Sequence, residues 1–156
     1  MNKATNLESF KKALKKQQHP SLSITYADAK DNILFVDNGL FPFRDTGFNY
    51  EKVLPGDTSA ACWPAKFHPF EELLVVENPS SGYLHHMNGS GFYCTDSAVS
   101  PNPSDYDHVV GYQQYKVARN YRVDEMMSQM GKMDICLLYT SPSPRDYAAS
   151  RMPSSA

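Results

Sequence analysis

Four groups of residues in this chain have the types that chemistry needs. Cys94, His85 and Asp96 supply a thiol, a base and an orienting carboxylate, the set a thiol hydrolase would use. His85 and His86 are metal-ligand types. Adjacent strand residues point to opposite faces, however, so one ion cannot take both, and packing or solvent contact is the plainer reading. Asn88-Gly89 is a hairpin-turn dipeptide, and Asn88-Gly89-Ser90 is formally a glycosylation sequon. The fourth group is a helical face. At about 100° per residue, Val123, Met126, Met127 and Met130 share one side, and Arg119 falls inside that arc. A guanidinium turned toward an apolar face must either meet an acceptor or extend its head back to water. Arg122 and Asp124 project to the edges of that face or away from it.

These groups need elements to position them. Thr5-Asn6-Leu7-Glu8 has the spacing of a capping box, and Leu7, Phe10 and Leu14 then recur at helical intervals. The spacing predicts a short amphipathic helix ended by His19-Pro20, since the residue before proline avoids helical backbone. Two strand-like runs follow, Ser23–Ala27 and Ile33–Val36, joined by the turn formers Asp28-Ala29-Lys30-Asp31-Asn32. The second run does not alternate, which predicts burial on both faces. Residues 37–80 read as loop, punctuated by Asn38-Gly39, Pro42, Pro55-Gly56, Pro64, Pro69 and Pro79. Their aromatic content (Phe41, Phe43, Phe48, Tyr50, Trp63, Phe67, Phe70) predicts packing over a larger core rather than a flexible linker. A strand over residues 82–87 is expected to lead into Asn88, and a second helix to run from about Tyr115 to Met130.

The bulk properties narrow the function classes. A length of 156 residues suffices for one domain with a core, and a net charge of −2 argues against nucleic-acid binding. Lys3, Lys11, Lys12, Lys15 and Lys16 form a basic cluster near the start, read as a solvated helix surface. No apolar run has the length of a membrane span. Cys62, Cys94 and Cys136 include no CxxC pair, so neither a zinc nor a redox motif is indicated. Free thiols are the default reading, with a Cys62–Cys94 disulfide left open. From Thr140 onward serine and proline dominate and no period survives, a composition that cannot bury enough to fold. The stretch from about 135 to 156 also resembles translated sequencing-adapter DNA. It is read as a disordered artefactual tail, beyond an interrupted biological chain at 1–134.

A family resemblance gathers several of these pieces. Tyr26-Ala27-Asp28, Asp31-Asn32-Ile33, Gly39, Pro42 and Arg44 resemble the β-chain of the penicillin acylase family. So do Leu54-Pro55-Gly56 with Trp63, Asn78-Pro79 with Gly82-Tyr83 leading to Asn88, and Arg119–Glu125. That family includes penicillin acylases and acyl-homoserine-lactone acylases. The resemblance implies an α+β class, part of a four-layer αββα N-terminal-nucleophile fold, here a hairpin with flanking helices and long aromatic-rich loops. It implies hydrolysis of a linear amide in a small acylated substrate by a serine freed upstream through self-cleavage. Asn88 takes the position of the oxyanion-stabilising asparagine and Arg119 that of the arginine beside it.

The implied partners are the rest of the acylase α- and β-chains, and the implied location is periplasmic or extracellular. No organic cofactor is implied. Calcium, which some relatives bind, would be held by residues outside this stretch, so no metal ligand is assigned. Without its serine the fragment is expected to be inactive. Relatives often have asparagine at His86 and proline at Gly91, so the Asn88 loop is expected to be looser than theirs. Two alternatives stand beside this reading. One is a pseudoenzyme of the same fold. The other is a non-catalytic domain in which Phe41, Phe43, Tyr50 and Trp63 form a stacking platform for sugar or peptide.

Overall fold

A computed structural model describes residues 1–106, 110–129 and 131, in two compact units: Met1–Tyr115, and a second beginning at Lys116. Cys136, Met130 and the tail from 135 lie outside the described residues.

The first helix, α1 (Leu7–Leu14), begins one residue later than the Thr5 box predicts. Asn6 is the cap: its side-chain oxygen accepts from the Ser9 amide at 2.8 Å, while Ser9 Oγ accepts from the Asn6 amide at 3.2 Å. The Ser9 hydroxyl also accepts from the Thr5 amide at 3.0 Å. Asparagine outranks threonine as a cap, so the Asn6–Ser9 pair displaces the Thr5–Glu8 one. The helix also stops short of His19-Pro20. Gln17 turns left-handed (φ 46°), and its amide donates back to the Leu14 carbonyl at 2.9 Å.

The predicted hairpin is present. Strands β1 (Leu22–Ala27) and β2 (Ile33–Asn38) pair antiparallel, with Leu22 opposite Asn38 and Ala27 opposite Ile33. Asp28 organises the turn: its Oδ1 accepts from the amides of Lys30 (2.8 Å) and Asn32 (3.2 Å), and Asp31 supplies the left-handed residue (φ 61°).

A third strand, β3 (Val75–Glu77), pairs with β2 in the order β1-β2-β3, with Phe35 opposite Val76. It lies in the stretch read as loop, because three residues before Asn78-Pro79 are too few to show a period. The strand expected over 82–87 is absent. There the His85 amide donates to the Cys94 carbonyl at 2.7 Å, closing a local loop instead of joining a ladder.

As its sequence predicts, β2 is buried on both faces. Leu34 and Val36 pack with Leu7 and Leu14 of α1 and with Phe70 and Leu73. On the opposite face Phe35 packs with Leu74, Val76, Phe92 and Cys94. Truncating a buried phenylalanine of this kind costs about 3–5 kcal/mol. The lysine cluster is a surface, as read. Lys11 pairs with Glu77 at 2.8 Å and Lys15 with Glu71 at 2.7 Å, contacts worth about 1 kcal/mol or less each.

The aromatic segment folds back on itself. Phe43 donates to the Lys66 carbonyl at 3.0 Å, and His68 to that of Phe41 at 2.8 Å. Nearby, the Tyr112 hydroxyl accepts from the Leu74 amide at 3.0 Å. In the second unit α2 spans Ala118–Gln129, within the predicted range. Among the described residues no helix is long and apolar enough to cross a membrane.

Candidate active-site loop around Asn88

Asn88 stands in a loop whose ends are clipped together. Besides the His85–Cys94 backbone bond, Thr95 Oγ1 donates to the Tyr83 carbonyl at 2.9 Å and meets Ser81 Oγ at 2.5 Å. Buried Ser90 turns its hydroxyl back to accept from the Phe92 amide at 3.2 Å, so that side chain serves the loop itself. Phe92 is 1% exposed and anchors the loop floor in the core beside Phe35. Asn88 itself is solvent-exposed and left-handed (φ 55°), a conformation that asparagine tolerates better than most residues. The loop therefore presents an amide outward from a fixed base.

Gly91 corrects the expectation of looseness. A Cβ there would lie 2.6 Å from Asp37 Oδ2, 2.7 Å from Phe35 Cε1 and 3.1 Å from Leu74 Cδ2. Glycine here is a seat, not a hinge. Burial raises the Asp37 pKa above the ordinary carboxylate value, against a hydrogen bond from Ser23 and the nearby His86, which act to lower it. Asp37 escaped the sequence reading, in which Gly91 figured only as a loosening of the loop. The only signal was an acidic residue closing a strongly apolar run.

The other candidates fare differently. Arg119 lies in the first turn of α2 and is exposed, whereas Asn120 is buried at 1%. Val123, Met126 and Met127 are half-buried while Tyr121, Glu125 and Ser128 on the other side are exposed, so the arc marks the more sheltered side, but Arg119, placed inside it, is not sheltered. Asn120 replaces Arg119 on the sequestered face, and its side-chain oxygen accepts from the Val117 amide at 3.2 Å. Arg122 pairs with Glu125 at 2.7 Å, and Lys116 with Asp124.

Cys94 does not fit a thiol hydrolase. It is 1% exposed, and burial pushes its thiol up to about 12, leaving almost no thiolate near neutrality. Cys62 is exposed and also free, so the open Cys62–Cys94 disulfide does not form. His85 is buried near the Tyr83 ring at 6.2 Å, while His86 lies 5.7 Å from the Phe35 ring. Among the described residues no three or more His, Cys, Asp or Glu side chains cluster as metal ligands.

The stacking platform is occupied by the protein's own groups. His68 stacks on Phe43 at 3.9 Å, and the Arg44 guanidinium lies 5.3 Å from the Tyr50 ring and 5.0 Å from that of Trp63. Phe41 packs against Tyr112 at 5.2 Å.

Residues 1–138 match the penicillin amidase family. The chain belongs to that family. It is 36% identical over 90 residues to penicillin G acylase of Escherichia coli, a match covering 56% of this chain. The same match covers 10% of that relative, so this penicillin amidase chain aligns with only a small part of it. The matched range takes in the clipped loop and all of α2.

Proposed function

We propose that this chain is the oxyanion-binding segment of an acylase that hydrolyses the carboxamide bond of a small acylated substrate. The observation that carries the proposal is the membership of residues 1–138 in the penicillin amidase family, with an exposed asparagine at the tip of a loop clipped at its base. In this reading the complete enzyme has the αββα N-terminal-nucleophile fold, and its serine lies in another part of the protein.

The serine oxygen bonds to the amide carbon, and its proton passes to the serine's own α-amino group. The carbonyl π electrons move onto oxygen, and the Asn88 side-chain amide donates a hydrogen bond to the charge that develops there. Collapse of the intermediate expels the amine, which takes the proton, and water then releases the acid from the acyl-serine. By the family resemblance, the role of orienting this donor in the complete enzyme falls to Arg119. The partners are the remaining acylase chains, the enzyme acts outside the cytoplasm, and the isolated segment does not turn over substrate.

The test is a chimaera in which residues 1–138, the span matched to the family, replace their counterpart in Escherichia coli penicillin G acylase. Hydrolysis of a chromogenic anilide is expected, with Asn88→Ala lowering kcat by about 10²–10³ and leaving KM nearly unchanged. A folded, self-processed chimaera without activity would sink the proposal, as would an Asn88→Ala variant that keeps most of its kcat.

A further inference from the structure

The loop carrying Asn88 rests on one pair of side chains at both of its flanks. Phe35 and Asp37 are two apart on β2, so they share a face of the sheet. Two residues before Asn88, His86 lies with its ring 5.7 Å from that of Phe35 and adds a favourable field at Asp37. Three residues after Asn88, Gly91 sits so close to Phe35 Cε1 and Asp37 Oδ2 that a methyl group would overlap both. The tip is thus slung between two supports on the same short piece of strand.

Phe35 is fully buried and fixed by the core. Asp37 is held from the far side. Ser23, its partner across the β1–β2 ladder, hydrogen-bonds to Oδ1 at 2.5 Å, and the Asp37 amide donates to the Leu74 carbonyl at 3.1 Å. A carboxylate placed this way bears on the loop through both shape and charge.

We propose that Asp37, acting through Gly91 and His86, is a positioning residue that sets the orientation of Asn88. The catalytic meaning of that role rests on the acylase reading, but the mechanical claim does not. The ionisable groups around Asp37 are His86 on the loop, Cys94 at its base and Tyr112, with Ser23 as the neutral hydrogen-bond partner. A change in the charge of Asp37 is therefore felt at the tip.

The experiment is an NMR pH titration of the ¹⁵N-labelled full chain, following the backbone amides of Asn88 and Gly89. Both are expected to show a step whose midpoint lies above the ordinary carboxylate value. Asp37→Asn, of nearly the same shape, should abolish the step, and His86→Gln should keep it. Ser23→Ala removes a hydrogen bond that favours the charged form, so it should move the midpoint upward. Ser23 is exposed, and this variant carries the test should Asp37→Asn fail to fold. A step that survives Asp37→Asn, or Asn88 amides that never respond, would overturn the proposal. Because no substrate is involved, failure here is distinguishable from failure of the acylase reading.

Discussion

The His85 amide and the Cys94 carbonyl meet at 2.7 Å, and this bond makes the eight residues between them, Asn88 included, a closed loop. Its stability depends on what lies under it, and the contacts beneath Gly91 leave no room for a side chain. Gly91→Ala is expected to destabilise the first unit by about 1–3 kcal/mol, the usual cost of overpacking. Gly56→Ala is the control, because nothing lies within 4 Å of a Cβ there. The alanine at 56 should be neutral or slightly stabilising through the unfolded chain. Urea unfolding of both variants checks this, and equal midpoints would refute the seat under the loop.

Two carboxyls should bend stability against pH in opposite directions. For Asp28, burial acts to raise the pKa, but hydrogen bonds from Asn32, the Lys30 amide and Tyr26 outweigh it and hold the group at about 2. Its folded value lies below its unfolded one. The stabilisation is therefore complete above the ordinary carboxylate value near 3.8 and is lost as pH falls toward 2. Asp37 is raised instead, so its charge opposes folding near neutrality, and that penalty is relieved on acidification. Melting temperatures across pH 2–6 should show a shallower acid decline for Asp28→Asn and a steeper one for Asp37→Asn. Parallel curves for all three proteins would refute the assignment.

The cysteines should differ sharply in reactivity. In a Cys136→Ser background, a thiol reagent at neutral pH should modify Cys62 at once and Cys94 only after denaturation, since the buried thiol stays protonated. Rapid native labelling of a Cys62→Ser, Cys136→Ser double variant would contradict this burial.

Much of the fold was legible because the signals were local and mutually consistent. Asp28 and Asn32 marked the hairpin turn, and the uninterrupted Ile33–Val36 run announced a central strand. What failed involved competition or distance. Thr5 and Asn6 both offer a cap, and only the reciprocal Ser9 bonds decide between them. Val75–Glu77 becomes a strand because β2 lies beside it, a partner some forty residues away that no local period reveals. At the site, Asn88 could be proposed from an ordered family pattern. Asp37 could not, because its importance lies in a contact with Gly91 made only when the chain has folded. Arg119 shows the reverse problem: the wheel finds the sheltered side of α2, but it cannot tell that Asn120, with its own backbone hydrogen bond, is the buried residue at the helix start and Arg119 is not.

The Tyr112 hydroxyl on the Leu74 amide has a consequence for how the sheet can grow. It takes the donor just ahead of β3, on the residue whose carbonyl accepts from the Asp37 amide of β2, and so ends that ladder, while Pro79 and the left-handed Asn78 stop the strand at its other end. That rim is only three residues long, too short to template a neighbour. The opposite rim, β1, is six residues long and mostly exposed. Of the two rims, β1 is therefore the longer and more open template for a further strand.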